Sequence, residues 1–594
     1  MCGFIGQISY SSINPDKLIN ANSHLVCRGP DSTQVFNNKI NKTNALLIFN
    51  RLKIIDLSDN ANQPMQSING ESIIVFNGEI YNHHELRMLL EKKNVKFRTN
   101  NSDSEVLLNG LEFFGLDFIQ KLRGQFSLCF INKKINKAYL VSDRLSQKPM
   151  YYSFINDSVI FSSNLLSLVD SINTSTLSEA NINEYLQYGI VSAPNTIFEN
   201  IYKLEPAQIL EIDLSSTKMK NKLSKYWNPD DYVDSKIFDE SEFFEHFESA
   251  IKIRQQADVP IANFLSGGID SSSIIKNIYD RGDEINSFSV VFDELKYNEQ
   301  KWSRMVSNKY QTNHLEVNAS TTLDIGTIQT ALNCLDEPYA DPSVIPSYIV
   351  SNKIANSYKV AISGDGGDEL LGGYTRLQSM IKPRSYLENL ISKGYSLYPS
   401  FLGTGNFFLS KSQNLNLAYS SYFKDEKFMK LLKISTNKII DKIDLDLSYE
   451  PFKSLLIQDY KYYLPQMMMY KVDRTSMANS LEVRSPFVDH LLIQYVLSRG
   501  LHSDMLNMNK GVLKNYLLND FSTNFINRKK QGFVFDLEHW VFRNINYIED
   551  TISEGNLVSS FSKNTLKLLS INKSRINANR IWKLYVLEKY LSRI

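Results

Sequence analysis

The first two hundred or so residues run in short apolar bursts separated by turn residues: ALLIFNRLKIIDL, ESIIVFNGEIY, QFSLCFI, KAYLVSD and SVIFSS. Bursts of this length, rich in β-branched and aromatic side chains, predict strands. One helical spacing interrupts them, at HHELRMLLEKK. Many strands with few long helices predict sheet packed on sheet. The stretch LSSTKMKNKLSKYWNPDDYVDSK is polar, lysine-rich and without an apolar period, so it reads as a connection. Beyond it the pattern changes. SEFFEHFESAIKIRQQA has helical spacing, and VPIANFLSGGIDSSSIIKNIYD reads as strand, glycine loop and helix. EINSFSVVF and YKVAISGDGGDELLGGY repeat the strand-then-loop theme, which predicts a parallel sheet flanked by helices. The expected division is a first domain over residues 1–205, a connection over 206–230 and a second domain over 231–594. Residues from about 375 to 455 carry no usable period, and no internal repeat appears.

Composition supports a folded chain of more than one core: 594 residues, 43% hydrophobic, 22% charged, 12% aromatic. Sixty-five basic side chains against sixty-four acidic leave a net charge of +1, so no global field recruits nucleic acid or an anionic membrane. Any anion must be held locally. The four cysteines, Cys2, Cys27, Cys129 and Cys334, show neither metal-ligand spacing nor a disulfide framework. No apolar run approaches the roughly 20 residues that cross a bilayer. These features predict a cytoplasmic protein without a membrane partner, its N-terminus mature once Met1 is removed.

Removal of Met1 would change the chemistry of Cys2. An N-terminal cysteine carries its own α-amine, of pKa about 7.7 to 8.0, beside a thiol of about 8.5, so nucleophile and general base come from one residue. Attack on an amide then needs oxyanion stabilisation and a grip on the substrate. Cys129 and Cys334 read as packing residues, and His83 and His84 as surface groups at the start of a helix. Asn77-Gly78 alone would read as a hairpin turn.

Five segments in order, MCGFIG, RGPDS (Arg28 to Ser32), NRLKIIDL (Asn50 to Leu57), FNGEIYNH (Phe76 to His83) and SDSEVLL (Ser102 to Leu108), resemble the glutaminase domain of N-terminal-cysteine (class II) glutamine amidotransferases. The resemblance implies an Ntn-type αββα sandwich in which Cys2 attacks the glutamine side-chain amide. It assigns the oxyanion hole to Asn77 and the N–H of Gly78, the substrate carboxylate to Arg51, and the substrate ammonium to Glu79 and Asp103. Cys27 stands where that family more often has histidine, and Asn101 where it has glycine.

In the second domain, Ser266, Gly267, Gly268, Asp270, Ser271 and Ser272 lie between an apolar strand and an apolar helix, as in a phosphate cradle. The lysine of a GxxxxGK[ST] loop is missing, which argues against transfer of a γ-phosphoryl group. A second glycine loop, Ile362 to Tyr374, adds Asp365, Asp368 and Glu369. Carboxylates beside a triphosphate imply a divalent cation, Mg2+, with Asp270 and Asp368 as its ligands. SGGIDSSS resembles the pyrophosphate loop of ATP-pyrophosphatases. With Lys471 to His490, Lys510 to Lys514 and Arg528 to Phe533, it makes the second domain resemble that of glutamine-hydrolysing asparagine synthetases.

This likeness implies that backbone atoms of Leu265 and Val290 hold adenosine, that Ser363 and Gly364 contact the nucleotide, and that Lys510 neutralises charge on pyrophosphate or an acyl-adenylate. It implies glutamine, ATP and aspartate as substrates and a homodimer as the assembly. Asp365 replaces a glutamate proposed to aid ammonia addition, and Glu337 to Tyr348 departs from a threonine-rich stretch near the acceptor site, so another carboxylate such as a sugar acid is the alternative acceptor. Ser142, Ser146 and Asn164 also depart from the family's usual Arg, Gly and Glu, which bears on the domain interface.

Overall fold

A computed structural model describes residues 2–594 apart from 173–175, 217–218, 293–298, 320–322, 383–384, 437–442, 501–508, 529–534 and 556–558. Twelve strands form the first domain: β1 (Gly3–Ser9), β2 (Ser32–Ile40), β3 (Thr43–Arg51), β4 (Met65–Gln66), β5 (Ser72–Ile80), β6 (Gly124–Asn132), β7 (Lys137–Ser142), β8 (Tyr151–Ile155), β9 (Ser158–Ser162), β10 (Tyr202–Lys203), β11 (Gln208–Asp213) and β12 (Lys220–Lys225). They make two six-stranded sheets, ordered β10-β8-β9-β1-β3-β2 and β12-β11-β7-β6-β5-β4.

The layering follows from side-chain alternation. In β3, Ala45, Leu47 and Phe49 turn to the core between the sheets, with Phe4, Val75 and Ile131. Leu46 and Ile48 turn the other way, onto Leu18 and Ala21 of the helix Pro15–Ala21. Ile74 and Phe76 of β5 likewise face Leu107 and Leu111 of the helix Asp103–Phe114. Both faces of these strands are covered, so they read as unbroken apolar runs. The result is an αββα sandwich.

Residues 206–225, expected to be a connection, instead complete the second sheet: β11 pairs antiparallel with β7 and with β12. The six residues of β12, KNKLSK, are all exposed on the sheet edge. A lysine-rich edge strand discourages edge-to-edge pairing, and having no buried face it carries no apolar period.

The second domain is built on a five-stranded parallel sheet of β13 (Ile261–Phe264), β14 (Asn286–Phe292), β15 (Asn313–Ala319), β16 (Val360–Ile362) and β17 (Glu482–Arg484), ordered β15-β14-β13-β16-β17. The chain runs outward from β13 through β14 to β15, then returns to the opposite side of β13 as β16. In open parallel sheets, ligands bind beyond the carboxyl ends of the strands at such a reversal. The loops Leu265–Gly268 and Ser363–Gly366 leave there. Residues 375–455, which showed no period, hold several helices of four to eight residues, each too short to display one. An eleven-residue π-helix, Asp459–Met469, leads into the helix Tyr470–Met477.

The domains share core and ion pairs. Leu52, Ile54 and Ile55 of the first pack with Val360 and Met477 of the second. Arg28 forks onto Asp473 (Nη1–Oδ2 2.8 Å, Nη2–Oδ1 3.0 Å), and Lys148 Nζ lies 3.1 Å from the same carboxylate. Asp489 takes Arg123 at 2.8 Å and Arg254 at 2.7 Å. The C-terminal helix Arg575–Leu591 returns to the first domain, where Lys583 Nζ donates to Leu186 O at 2.9 Å.

Candidate active sites

Cys2 precedes β1, a central strand flanked by β3 and β9, and is 7% exposed. Its backbone N–H donates to Asn77 Oδ1 at 3.1 Å. Bonding through the oxygen turns the amide nitrogen of Asn77 away, and that Nδ2 is buried without a partner. A buried, unspent N–H donor beside a thiol is the property an oxyanion hole needs. Burial raises the Cys2 thiol above the ordinary cysteine value, against the pull of the nearby N-terminal amine and Arg51.

Asn77-Gly78 is not a hairpin turn, for it lies inside β5 opposite Ser127 and Phe126. Gly78 has φ +153°, and a Cβ there would meet Gln125 O at 2.0 Å. Glycine is therefore required for β6 to pass so close. Glu79 is 3% exposed; its Oε2 lies 3.4 Å from Arg484 Nη2 of the second domain, and its Oε1 is buried without a partner. Burial and the neighbouring Asp103 push the Glu79 carboxyl well above the usual range, against the pull of Arg484. Asp103 accepts the N–H of Ile80 at 3.1 Å, which ties it to β5. An incoming ammonium would relieve both the crowding and the desolvation. Arg51 is buried and donates to the carbonyls of Ile55, Asp56 and Ser58 and to Asn62 Oδ1, so its guanidinium is aimed by the 55–62 loop.

One reading around this site changes. His83 begins the helix His83–Glu91 but is 1% exposed, with Nδ1 2.9 Å from Ile80 O. His84 is exposed. Asn101 lies 3.3 Å from His83 Nε2 and donates to Asp258 of the second domain at 3.3 Å. Cys129 is buried between the sheets. Cys334 packs, partly buried, against the core of the second domain, and with Cys27, Arg28, Asn164, Tyr348 and Arg593 it lines a cleft of about 230 Å³. Ser142 lies within the first domain, where its backbone oxygen accepts Tyr226 Oη at 2.9 Å. Ser146 takes φ +48° and its buried hydroxyl has no partner.

In the second domain, Ser266 Oγ accepts the N–H of Gly268 at 3.2 Å and lies 3.2 Å from Ser271 Oγ, which curls the loop over the N-terminus of the helix Ile269–Asp280. The hydroxyls of Ser272, Ser273 and Ser363 are buried without partners. Leu265, 1% exposed, donates its N–H to Phe288 O at 2.7 Å, and Val290 follows on β14. The second loop presses onto the first: a Cβ on Gly367 would meet Asp270 Oδ1 at 2.6 Å, and one on Gly364 would meet Asp270 Cβ at 3.1 Å.

Lys510 Nζ lies 2.5 Å from Asp270 Oδ2 and 2.7 Å from Asp368 Oδ1, so one ammonium bridges the two carboxylates. Burial would lower the lysine's pKa, but the two carboxylates outweigh it and raise it. Glu369 is buried and accepts Tyr374 Oη at 2.7 Å; burial, then Asp368, pushes its carboxyl up to about 7. Asp365 is half-buried, and its carbonyl accepts Ser485 Oγ. Among the described residues no three His, Cys, Asp or Glu side chains cluster as a protein-only metal cage. Two carboxylates drawn to one cation still fit Mg2+, which binds through one or two carboxylates plus substrate phosphates.

Sequence reasoning missed three contacts. Arg528 Nη2 donates to Gly267 O at 2.7 Å, with its guanidinium over the Trp302 ring. Arg484 links Glu79 to the second glycine loop, because its carbonyl accepts the N–H of Ser363 at 2.9 Å. Asp473 gathers Arg28, Lys148 and Arg474. The last two arise only where the two domains meet, and the first joins segments 261 residues apart within the second domain. Lys529 to Phe533 of the last motif lie outside the described residues.

A thiol beside an unspent amide donor on a sandwich, and a serine-glycine loop on a parallel sheet, joined by a buried interface, define a two-domain amidotransferase. A family model described as asparagine synthase matches residues 242–591, and one described as glutamine amidotransferase domain matches residues 1–227. The chain belongs to the asparagine synthase family. Asparagine synthetase [glutamine-hydrolyzing] 1 of Bacillus subtilis (strain 168) is 28% identical, with 98% of this chain and 95% of that protein covered. The putative asparagine synthetase [glutamine-hydrolyzing] 2 of Methanocaldococcus jannaschii is 31% identical over 78% of this chain and 92% of its own. Asparagine synthetase [glutamine-hydrolyzing] 2 of Bacillus subtilis is 27% identical over 90% and 72%. Among the described residues no helix is long and apolar enough to cross a membrane.

Proposed function

We propose that the chain is a glutamine-dependent asparagine synthetase, converting aspartate, glutamine and ATP to asparagine, glutamate, AMP and pyrophosphate. The observation that carries this reading is the pairing of two separate sites in one chain: Cys2 beside the unspent Asn77 donor, and the serine-glycine loop beside Asp270, Asp368 and Lys510.

With Met1 removed, the Cys2 α-amine takes the thiol proton and the sulfur attacks the glutamine side-chain carbonyl. Asn77 Nδ2 and the Gly78 N–H stabilise the oxyanion. The amide nitrogen leaves as ammonia, and water then releases glutamate from the thioester. Arg51 holds the glutamine carboxylate, and Glu79 with Asp103 holds its ammonium.

In the second site, the acceptor carboxylate attacks the α-phosphorus of ATP. This forms the acyl-phosphate bond, breaks the α–β anhydride and releases pyrophosphate. Ammonia then adds to the acyl carbon and AMP leaves. The loop from Ser266 to Ser272 receives the pyrophosphate, Leu265 and Val290 receive adenosine through their backbones, and Ser363 and Gly364 receive the nucleotide from the other side. Asp270 and Asp368 would hold Mg2+, which supplies neutralisation of the polyphosphate charge. Lys510 neutralises charge on the leaving group, and Asp365 assists ammonia addition. Ammonia kept inside the protein avoids protonation to unreactive ammonium, and a cytoplasmic setting suits this chemistry.

The test is the nucleotide product with Mg-ATP, added ammonia and a panel of acids. Asparagine and AMP in equal amounts with aspartate are expected. ADP in place of AMP would overturn adenylation, and AMP formed only with another carboxylate would move the acceptor to that acid.

A further inference from the structure

The cleft of about 230 Å³ that Cys27 and Cys334 line belongs to neither site described above, and each domain supplies one wall. Polar groups reach it from both sides: Arg28 and Asn164 from the first domain, and Asn333, Tyr348, Arg474 and Arg593 from the second. Among the described residues, neither aspartate nor glutamate lines it.

The cations here outnumber the carboxylates behind them. Asp473 is shared by Arg28, Lys148 and Arg474, and Asp336 takes Arg474 a second time at 2.9 Å. Two carboxylates thus answer three buried cations. Lys148 registers the shortfall, since burial lowers its pKa below the ordinary lysine value against the pull of Asp473 and Glu482. Arg593 donates to the carbonyls of Leu335 and Asn333 at 3.0 and 3.1 Å, which covers the negative end of the helix Ile325–Leu332. It forms no ion pair among the described residues. Asp170 is already taken up by His24 of the cleft wall, at 2.7 Å.

The backbone favours the same sign. The helix Leu165–Ile172 begins at the cleft with Asn164 and Leu166, and the N–H of Leu165 already holds Asp336 Oδ2 at 3.0 Å. Helix N-termini attract negative charge.

We infer that this cleft binds a compact multivalent anion through carboxylate or phosphate oxygens. Guanidinium groups fork onto either, whereas a cationic ligand would meet three of them at close range. The volume sets the size, because it falls below the roughly 300–1,000 Å³ of pockets for drug-sized ligands. Inorganic phosphate and citrate are therefore suitable probes. The occupant would lie one side chain from the nucleophile, since Arg28 of the cleft wall donates its Nε to Cys2 O at 3.2 Å.

Cys27, exposed on the wall, reports occupancy. The experiment follows its alkylation in the full chain by iodoacetamide, a neutral reagent, using peptide mass spectrometry. Phosphate, citrate and sodium chloride are compared at matched ionic strength. Phosphate or citrate should slow the labelling about ten-fold at ten times its dissociation constant, and chloride should not. Protection by one of the two anions or by both supports the site and tells which group it prefers. Asn333→Asp, which adds a negative charge to the wall by changing one side-chain atom, should raise the dissociation constant roughly ten-fold or more. Arg593→Gln should do the same, and retained ammonia-dependent activity shows that both variants fold. Thermal unfolding reads binding without the thiol: the protecting anion should raise the midpoint of the wild type more than that of either variant. Labelling that neither anion slows overturns the inference. So does protection that survives in both variants, or a midpoint shift equal in wild type and variants.

Discussion

At the scale of single residues, the glutaminase site is defined by what is left unsatisfied. Asn77 spends its oxygen on the Cys2 N–H and keeps its nitrogen free, and Glu79 keeps one oxygen free. Asn77→Ala should lower glutaminase kcat by about 10²–10³-fold, measured as glutamate release, and leave ammonia-dependent synthesis intact. Glu79 gives a pH signature. Burial and Asp103 raise its pKa, while a bound ammonium favours the charged form, so glutamine binding should release a proton and tighten as pH rises. Calorimetry in buffers of different ionisation enthalpy checks this. Glu79→Gln should bind glutamine weakly and without proton release, and proton release that persists in the variant would contradict the assignment.

Among elements, the two glycine loops meet because their close approach leaves no room for side chains. A Cβ on Gly373 would lie 2.0 Å from Asp368 Oδ1 and 2.3 Å from Lys510 Cε. Gly373→Ala should therefore displace both and abolish AMP formation while the glutaminase persists, as separate assays of each half-reaction would show. Much of this level was legible in the sequence, because a strand, a glycine-serine loop and an apolar helix follow one another within FLSGGIDSSS. β12 was not legible, since an exposed edge strand carries no periodic apolar signal. His83 was misread because its burial comes from β5 and Asn101 rather than from its own helix. The helices between 375 and 455 are too short for their period to show.

For the whole molecule, the buried ionic interface is what the sequence hid most completely, since Arg28 and Lys148 meet Asp473 only after both domains fold. Burial would raise the Asp473 carboxyl, but Arg28, then Lys148, outweigh it and hold it far below the ordinary range. A depressed carboxylate contributes stability that is full above its unfolded pKa, about 3.9, and is lost as pH falls through the folded value. Asp473→Asn should flatten that acid limb. At neutral pH it should cost about 3–5 kcal/mol by leaving buried cations unpaired, read by denaturant unfolding. An unchanged transition would show that the pairs do not hold the domains together.

The central claim is that nitrogen leaves glutamine at Cys2 and reaches an adenylated carboxylate in the same molecule. Its most direct test is mass spectrometry of the products formed from amide-labelled heavy-nitrogen glutamine, Mg-ATP and aspartate, by the wild type and by Cys2→Ala. The account predicts labelled asparagine with matching AMP from the wild type. From Cys2→Ala it predicts no labelled asparagine, and unlabelled asparagine once ordinary ammonia is added. Labelled asparagine from Cys2→Ala, or labelled ammonia without asparagine from the wild type, would contradict it.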